Sequence, residues 1–150
     1  MAKNLRTFWG AMHPDFDRLF IALWYIPLGI GLHGAVVLSG DTTAYNYFGE
    51  NAFLPIYRYF FLEIVPQNVV FWAALVTLFE LVLGLLILSK GTAVKIGLLL
   101  SAMFQLFLAP TGVWGIINVL LAASCLMLLY FDYDQTIPEM FIKRARTQPA

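Results

Sequence analysis

Charge is what this sequence has least of. Lys, Arg, Asp and Glu together make up 12% of its 150 residues, while hydrophobic residues make up 61%. A water-soluble chain of this length cannot hide so much apolar surface in one core. The nine basic and nine acidic residues cancel, so no basic face exists for nucleic acid. The only cysteine, Cys125, sits in an apolar run, which excludes an internal disulfide or a CxxC redox pair. Electron transfer would therefore need a bound cofactor or a partner's groups. The two histidines, His13 and His33, do not make a pair of haem ligands, because His13 lies before the first apolar run. Metal-ligand spacings, a Gly-rich phosphate loop and nucleophile motifs are all missing. Such a chain is expected to have lipid as its main solvent.

What is present is a set of long apolar runs. A bilayer core needs about 20 apolar residues of helix, and four runs approach that length. The first is Leu19 to Leu38, preceded by Asp15 and Asp17, which suit a helix start. It is too long for the apolar core of a signal peptide and lacks a good small-residue cleavage pattern, so it is read as a retained span. The second runs from about Asn68 to Leu88, after Pro66. The polar turn Ser89-Lys90-Gly91-Thr92 separates it from the third, Ala93 to Ala109, with Lys95 near its entry. Pro110-Thr111-Gly112 makes the next turn, and the fourth run, Val113 to Phe131, ends at Asp132 and Asp134. Short connections make neighbours antiparallel. The fold expected is all-α: one membrane domain, 1–150, built as a bundle of four transmembrane helices.

The basic residues fix the orientation expected for that bundle. Lys3, Arg6 and Arg18 precede the first run, Lys90 and Lys95 lie at the turn between the second and third runs, and Lys143, Arg144 and Arg146 follow the last; only Arg58 falls on the other side. Both chain ends are therefore expected to be cytoplasmic. Outside the spans, Leu5, Phe8, Trp9 and Met12 recur at helical spacing and predict a short N-terminal interfacial helix. The segment Tyr45 to Val65 is rich in Tyr and Phe, as an aromatic belt at the outer surface would be. Within it Phe53, Tyr57, Phe60 and Ile64 form a helical stripe, and Pro55 suits a first turn. An outer interfacial helix is predicted over Ala52 to Val65, serving as an anchor or as a lid over a lipid-soluble ligand. The polar tail after Asp132, with Ile137, Met140 and Phe141 as its apolar cluster, suits a docking or interfacial element.

Helices in lipid pack through small and polar residues. The stripes that qualify are Gly29 and His33 with Pro27, Gly31 and Gly34 beside them; Ala73, Thr77, Glu80 and Gly84; Gly97, Ser101 and Gln105; and Gly115, Asn118, Ala122 and Cys125. At 1.5 Å per residue, His33, Gln105 and Asn118 come out roughly 6–8 Å below the outer ends, Thr77 about 14 Å and Glu80 about 18 Å. His33, Gln105, Asn118, Thr77 and Glu80 together form the candidate intramembrane polar site. An ionised Glu80 near mid-bilayer would cost at least ~2.5 kcal/mol, so the carboxyl is expected to be protonated or paired. No Lys or Arg falls near its depth. It either relays a proton or binds a polar headgroup, or it ties two helices together. His33 suits a quinone carbonyl or a helix–helix hydrogen bond. Gln105 and Asn118 suit packing.

Three of these features, the Gly-rich first span closing in His33-Gly34, Glu80-Leu-Val-Leu-Gly84 in the second, and the turn Ser89-Lys90-Gly91, resemble the DoxX-like family of small four-helix membrane proteins over roughly residues 18 to 130. Val37 stands where that family often carries a Lys. The family includes subunits of thiosulfate:quinone oxidoreductase. The resemblance implies a bacterial or archaeal plasma-membrane protein with a link to quinone. Two functions follow as expectations: an accessory subunit of a larger membrane complex, such as a respiratory one, or a quinone-interacting subunit of an oxidoreductase. The small size and the lack of redox motifs favour the first. A transporter would need an internal repeat or broken helix pair, and neither is visible.

Overall fold

The computed structural model describes residues 14–112 and 114–147, so the N-terminal interfacial helix expected around Leu5 to Met12 lies outside the described residues. Among the described residues the chain is helical throughout, without strands. We number the helices α1 (Pro14–Ser39), α2 (Thr43–Asn51), α3 (Pro55–Leu88), α4 (Thr92–Leu108), α5 (Gly115–Leu128) and α6 (Ile137–Thr147). Two of them, α1 and α3, are long and apolar enough to cross a membrane. The shorter apolar helices α4 and α5 complete a bundle in which α1 packs on α3, α3 on α4, α4 on α5, and α5 back on α1.

The polar turns between runs become helix breaks for identifiable reasons. Gly91, at φ +62°, and Gly112, at φ +98°, adopt backbone conformations that side-chain-bearing residues rarely reach. A Cβ at Gly112 would also collide with the backbone of Asn51. The fourth run is helical over a shorter stretch than expected. After Leu128 the chain tightens into a turn in which the Leu129, Tyr130 and Phe131 amides bond three residues back, to Leu126, Met127 and Leu128. Asp15 and Asp17 sit inside the first turn of α1 rather than before it. They still complement the positive end of its dipole, and Asp15 pairs with Arg18 at 2.9 Å.

The region between α1 and α3 differs most from expectation. A separate helix, α2, occupies Thr43–Asn51 where only a belt of aromatics is read from the sequence. The predicted helix over Ala52 to Val65 begins at Pro55, which takes the first-turn position as expected. It then runs on into α3 instead of ending. A wide turn at Phe60–Ile64, closed by i→i+5 bonding, adds a residue to the helical repeat. The fully buried positions fall at Phe61 and Val65, while Tyr57, Phe60 and Ile64 of the expected stripe are half-buried. Phe53 is 74% exposed. At Asn68 the backbone leaves the helical region (φ −152°, ψ 61°), and its side chain caps the next stretch by accepting from the Phe71 amide. The 20 residues from Val69 to Leu88 are about 30 Å long, matching a bilayer's hydrocarbon thickness.

The small and polar stripes do face inward. Gly29, His33, Ala73, Glu80, Gly84, Gly97, Ser101, Gln105, Gly115, Asn118, Ala122 and Cys125 are buried, and Thr77 is half-buried. Pro27 and Gly31, read as the adjoining side of the first stripe, are exposed. Charged side chains gather at the bundle's ends. At one end Lys90 meets Glu139 at 3.0 Å and Lys95 meets Asp132 at 3.1 Å. There α6 starts with a capping box: Glu139 accepts from the Thr136 amide and Thr136 Oγ1 from the Glu139 amide. The Thr136 amide, and then the Lys90 ammonium, hold the Glu139 carboxyl below its usual range.

Candidate functional site

The site is built where α1 loses its regular spacing. Gly29–His33 form a second wide turn, in which the Gly34 amide reaches back five residues to the Gly29 carbonyl. Such turns change the direction of the side chains that follow and recur at functional sites. The same carbonyl accepts a hydrogen bond from Thr77 Oγ1 at 3.1 Å, which ties α1 to α3 at this point. Gly29 eases the close approach, since a Cβ there would stand 3.3 Å from both Cβ and Oε2 of Glu80.

His33 Nε2 faces Glu80 Oε2 at 3.7 Å. This corrects the expectation that the two residues lie about 10 Å apart in depth, and gives Glu80, which no described Lys or Arg approaches, a histidine neighbour. Counting residues from helix ends assumes that the ends are level and that side chains stay at the height of their Cα atoms. Neither holds for α1 and α3. The antiparallel pairing sets Gly29 beside Thr77 and Glu80 and Gly84 against Ile26, so α1 and α3 are offset by a few residues. Long side chains on a helix also point back toward its own N-terminus, so on antiparallel helices His33 and Glu80 lean toward each other. His33 Nδ1 in turn lies 2.8 Å from the Tyr45 hydroxyl. Tyr45 comes from α2 and is held by Phe48 and by stacking on Phe61.

A cavity of about 740 Å³ opens beside this group, lined by residues of α1, α2, α3, α4 and α5. Its walls are mostly aromatic and aliphatic: Trp24, Leu28, Leu32, Phe60, Trp72, Phe104 and Trp114 among them. Four of the five candidate residues, His33, Glu80, Gln105 and Asn118, line it. Thr77 does not; its hydroxyl is spent on the Gly29 carbonyl. Gln105 donates to the Tyr25 hydroxyl at 2.9 Å, and Tyr25 donates to the Ser101 carbonyl at 3.4 Å. The buried acceptors Glu80 Oε2 and Gln105 Oε1 have no hydrogen-bond partner, an expensive condition for buried oxygen.

Tyr25 and Tyr45 are the participants that the sequence reading passes over. Extending the Gly29–His33 stripe backward in steps of four reaches Tyr25 and Ile21, both buried. Tyr45 carries no such signal, being one of many aromatics in its segment. Among the described residues no group of three or more His, Cys, Asp or Glu is placed to hold a metal ion. Comparison of the chain with protein-family models, with curated proteins and with solved structures found no match.

Proposed function

We propose that this protein is a four-span membrane bundle of the DoxX-like kind, with both ends cytoplasmic, whose cavity binds a lipid-soluble molecule with a small polar head, of the quinone and quinol class. The observation that carries this reading is the cavity itself. Its volume of about 740 Å³ and its apolar walls with a few convergent polar groups fit a small-molecule site. Tyr45, His33 and Glu80 would meet the head, and the aromatic walls the ring and tail. Support for the membrane setting comes from the outer surface. Phe20, Leu23, Leu78, Leu85, Ile116 and Leu120 are each more than half exposed, an apolar surface that lipid covers and water does not favour. Charged pairs at the end holding Lys90 and Lys95 border that belt.

An accessory role in a respiratory or other electron-transfer complex does not by itself call for such a cavity, and this favours ligand binding. Titration of the purified protein in lipid nanodiscs with a short-chain benzoquinol, followed by calorimetry, should give saturable binding near one per chain. Val76→Trp, which adds an indole to the cavity wall, should weaken it by about tenfold or more, since each 1.4 kcal/mol of lost contact is a factor of ten. Uptake that rises without saturation, and equally in both proteins, would leave only partitioning into lipid and overturn the reading.

A further inference from the structure

We infer that the head group this cavity selects is a hydroxyl, as on a lipid-soluble phenol or quinol, rather than a bare carbonyl or ether. The inference rests on the ligand-binding reading above and adds the hydrogen-bonding character of the ligand. The Tyr45 hydroxyl has one hydrogen-bond partner among the described residues, His33 Nδ1 at 2.8 Å. The tautomer in which this hydroxyl donates to Nδ1 spends its proton and carries the ring proton of a neutral imidazole on Nε2. That N–H faces Glu80 Oε2 across 3.7 Å, too far for a hydrogen bond. The gap thus has a donor on one side and a carboxyl on the other, with neither satisfied by its neighbour.

The unmet buried atoms of this site are acceptors, Glu80 Oε2 and Gln105 Oε1. An ionised carboxyl only accepts, so a donor is what it needs, and a protonated one keeps an accepting oxygen beside its own O–H. A hydroxyl meets both sides at once: its oxygen accepts from His33 Nε2–H and its proton goes to Glu80. A carbonyl or ether oxygen can accept from His33 but has nothing to give Glu80. Sites built to pair a substrate's polar hydrogen discriminate strongly against analogues lacking it, because the protein's own polar group is then left unmet.

The test compares a long-chain alkylphenol with its methyl ether, two probes of similar shape that differ in one donor. Trp24, Trp72 and Trp114 line the cavity, so quenching of tryptophan fluorescence in nanodiscs reports occupancy. The phenol should bind about tenfold tighter than the ether or better. In Glu80→Leu the two should come within about twofold of each other, the lost term being one hydrogen bond. Should Glu80→Leu fail to fold, the comparison in the wild-type protein decides by itself. Equal, saturable binding of both probes, or an undiminished preference in a folded Glu80→Leu, would overturn the hydroxyl inference and leave the ligand cavity standing. Saturable binding of neither probe would overturn both.

Discussion

Gly97→Leu is expected to be more damaging than Gly84→Leu, and Leu85→Phe close to neutral. Gly97 lies where α4 crosses α3. A Cβ there would stand 2.8 Å from Leu86 Cβ and 3.2 Å from the Ile87 backbone nitrogen. Backbone and Cβ atoms cannot be moved by a rotamer change, so the helices must separate, and close helix approach is what holds such bundles together. At Gly84 the obstacle is the side chain of Ile26, with Cγ1 at 2.6 Å. Part of that collision can be relieved by repacking Ile26, at the 1–3 kcal/mol that is typical of overfilled cores. Leu85 is 64% exposed and has room for a larger ring. Thermal scans of the three variants in one detergent should rank them in that order. Equal losses in all three would mean that the buried faces are misassigned.

Arg18→Leu is expected to release the C-terminal helix from the rest of the protein. Arg18 is fully buried, and its guanidinium joins three parts of the chain. It donates to the Ser89 carbonyl at 3.0 Å and to the Gln135 carbonyl at 2.7 Å, pairs with Asp15 and lies 4.7 Å from the Tyr133 ring centroid. Met140 Sδ, on α6, is within 3.7 Å. Leucine keeps bulk but offers no donor, so the Ser89 and Gln135 carbonyls lose their guanidinium, and breaking a buried ionic cluster costs roughly 3–5 kcal/mol. Arg18→Lys should recover part of this, since an ammonium supplies charge without the fork that reaches two carbonyls at once. Limited trypsin cleavage at Lys143 should be fast in Arg18→Leu, slower in Arg18→Lys and slowest in the parent. Identical cleavage in all three would show that α6 is held by other contacts, such as the Lys90–Glu139 pair.

The buried faces of the helices were legible because apolar surroundings leave small and polar residues few places to go. Gly84, Gly97, Ser101, Asn118 and Cys125 each stood out against Leu, Ile and Val, and all are buried. Depth was not legible. Arithmetic along separate helices cannot supply the offset between α1 and α3, nor the lean of side chains, so the His33–Glu80 approach emerged only in three dimensions. The two wide turns were hidden for a related reason: nothing in Gly29–His33 or Phe60–Ile64 announces an extra residue per turn. Helix α2 escaped because Thr, Asn and Gly are weak helix formers. Tertiary packing of Tyr45 and Phe48 against Phe61 stabilises it instead. As for the site, four of its five expected members share one cavity, while Tyr45, which orients His33, became visible only through its contact.

The cavity's proposed ligand and the meaning of the exposed apolar belt both depend on a bilayer crossed four times. Single cysteines placed at Thr43 and at Asp134 in a Cys125→Ser background, and labelled in intact cells with a membrane-impermeant maleimide, test this directly. Thr43 opens α2, and Asp134 lies between α5 and α6 beyond the opposite end of the bundle. The expected result is labelling of Thr43→Cys from outside, with Asp134→Cys labelled only after the membrane is made permeable. Labelling of both positions from the same side would contradict the four-span topology.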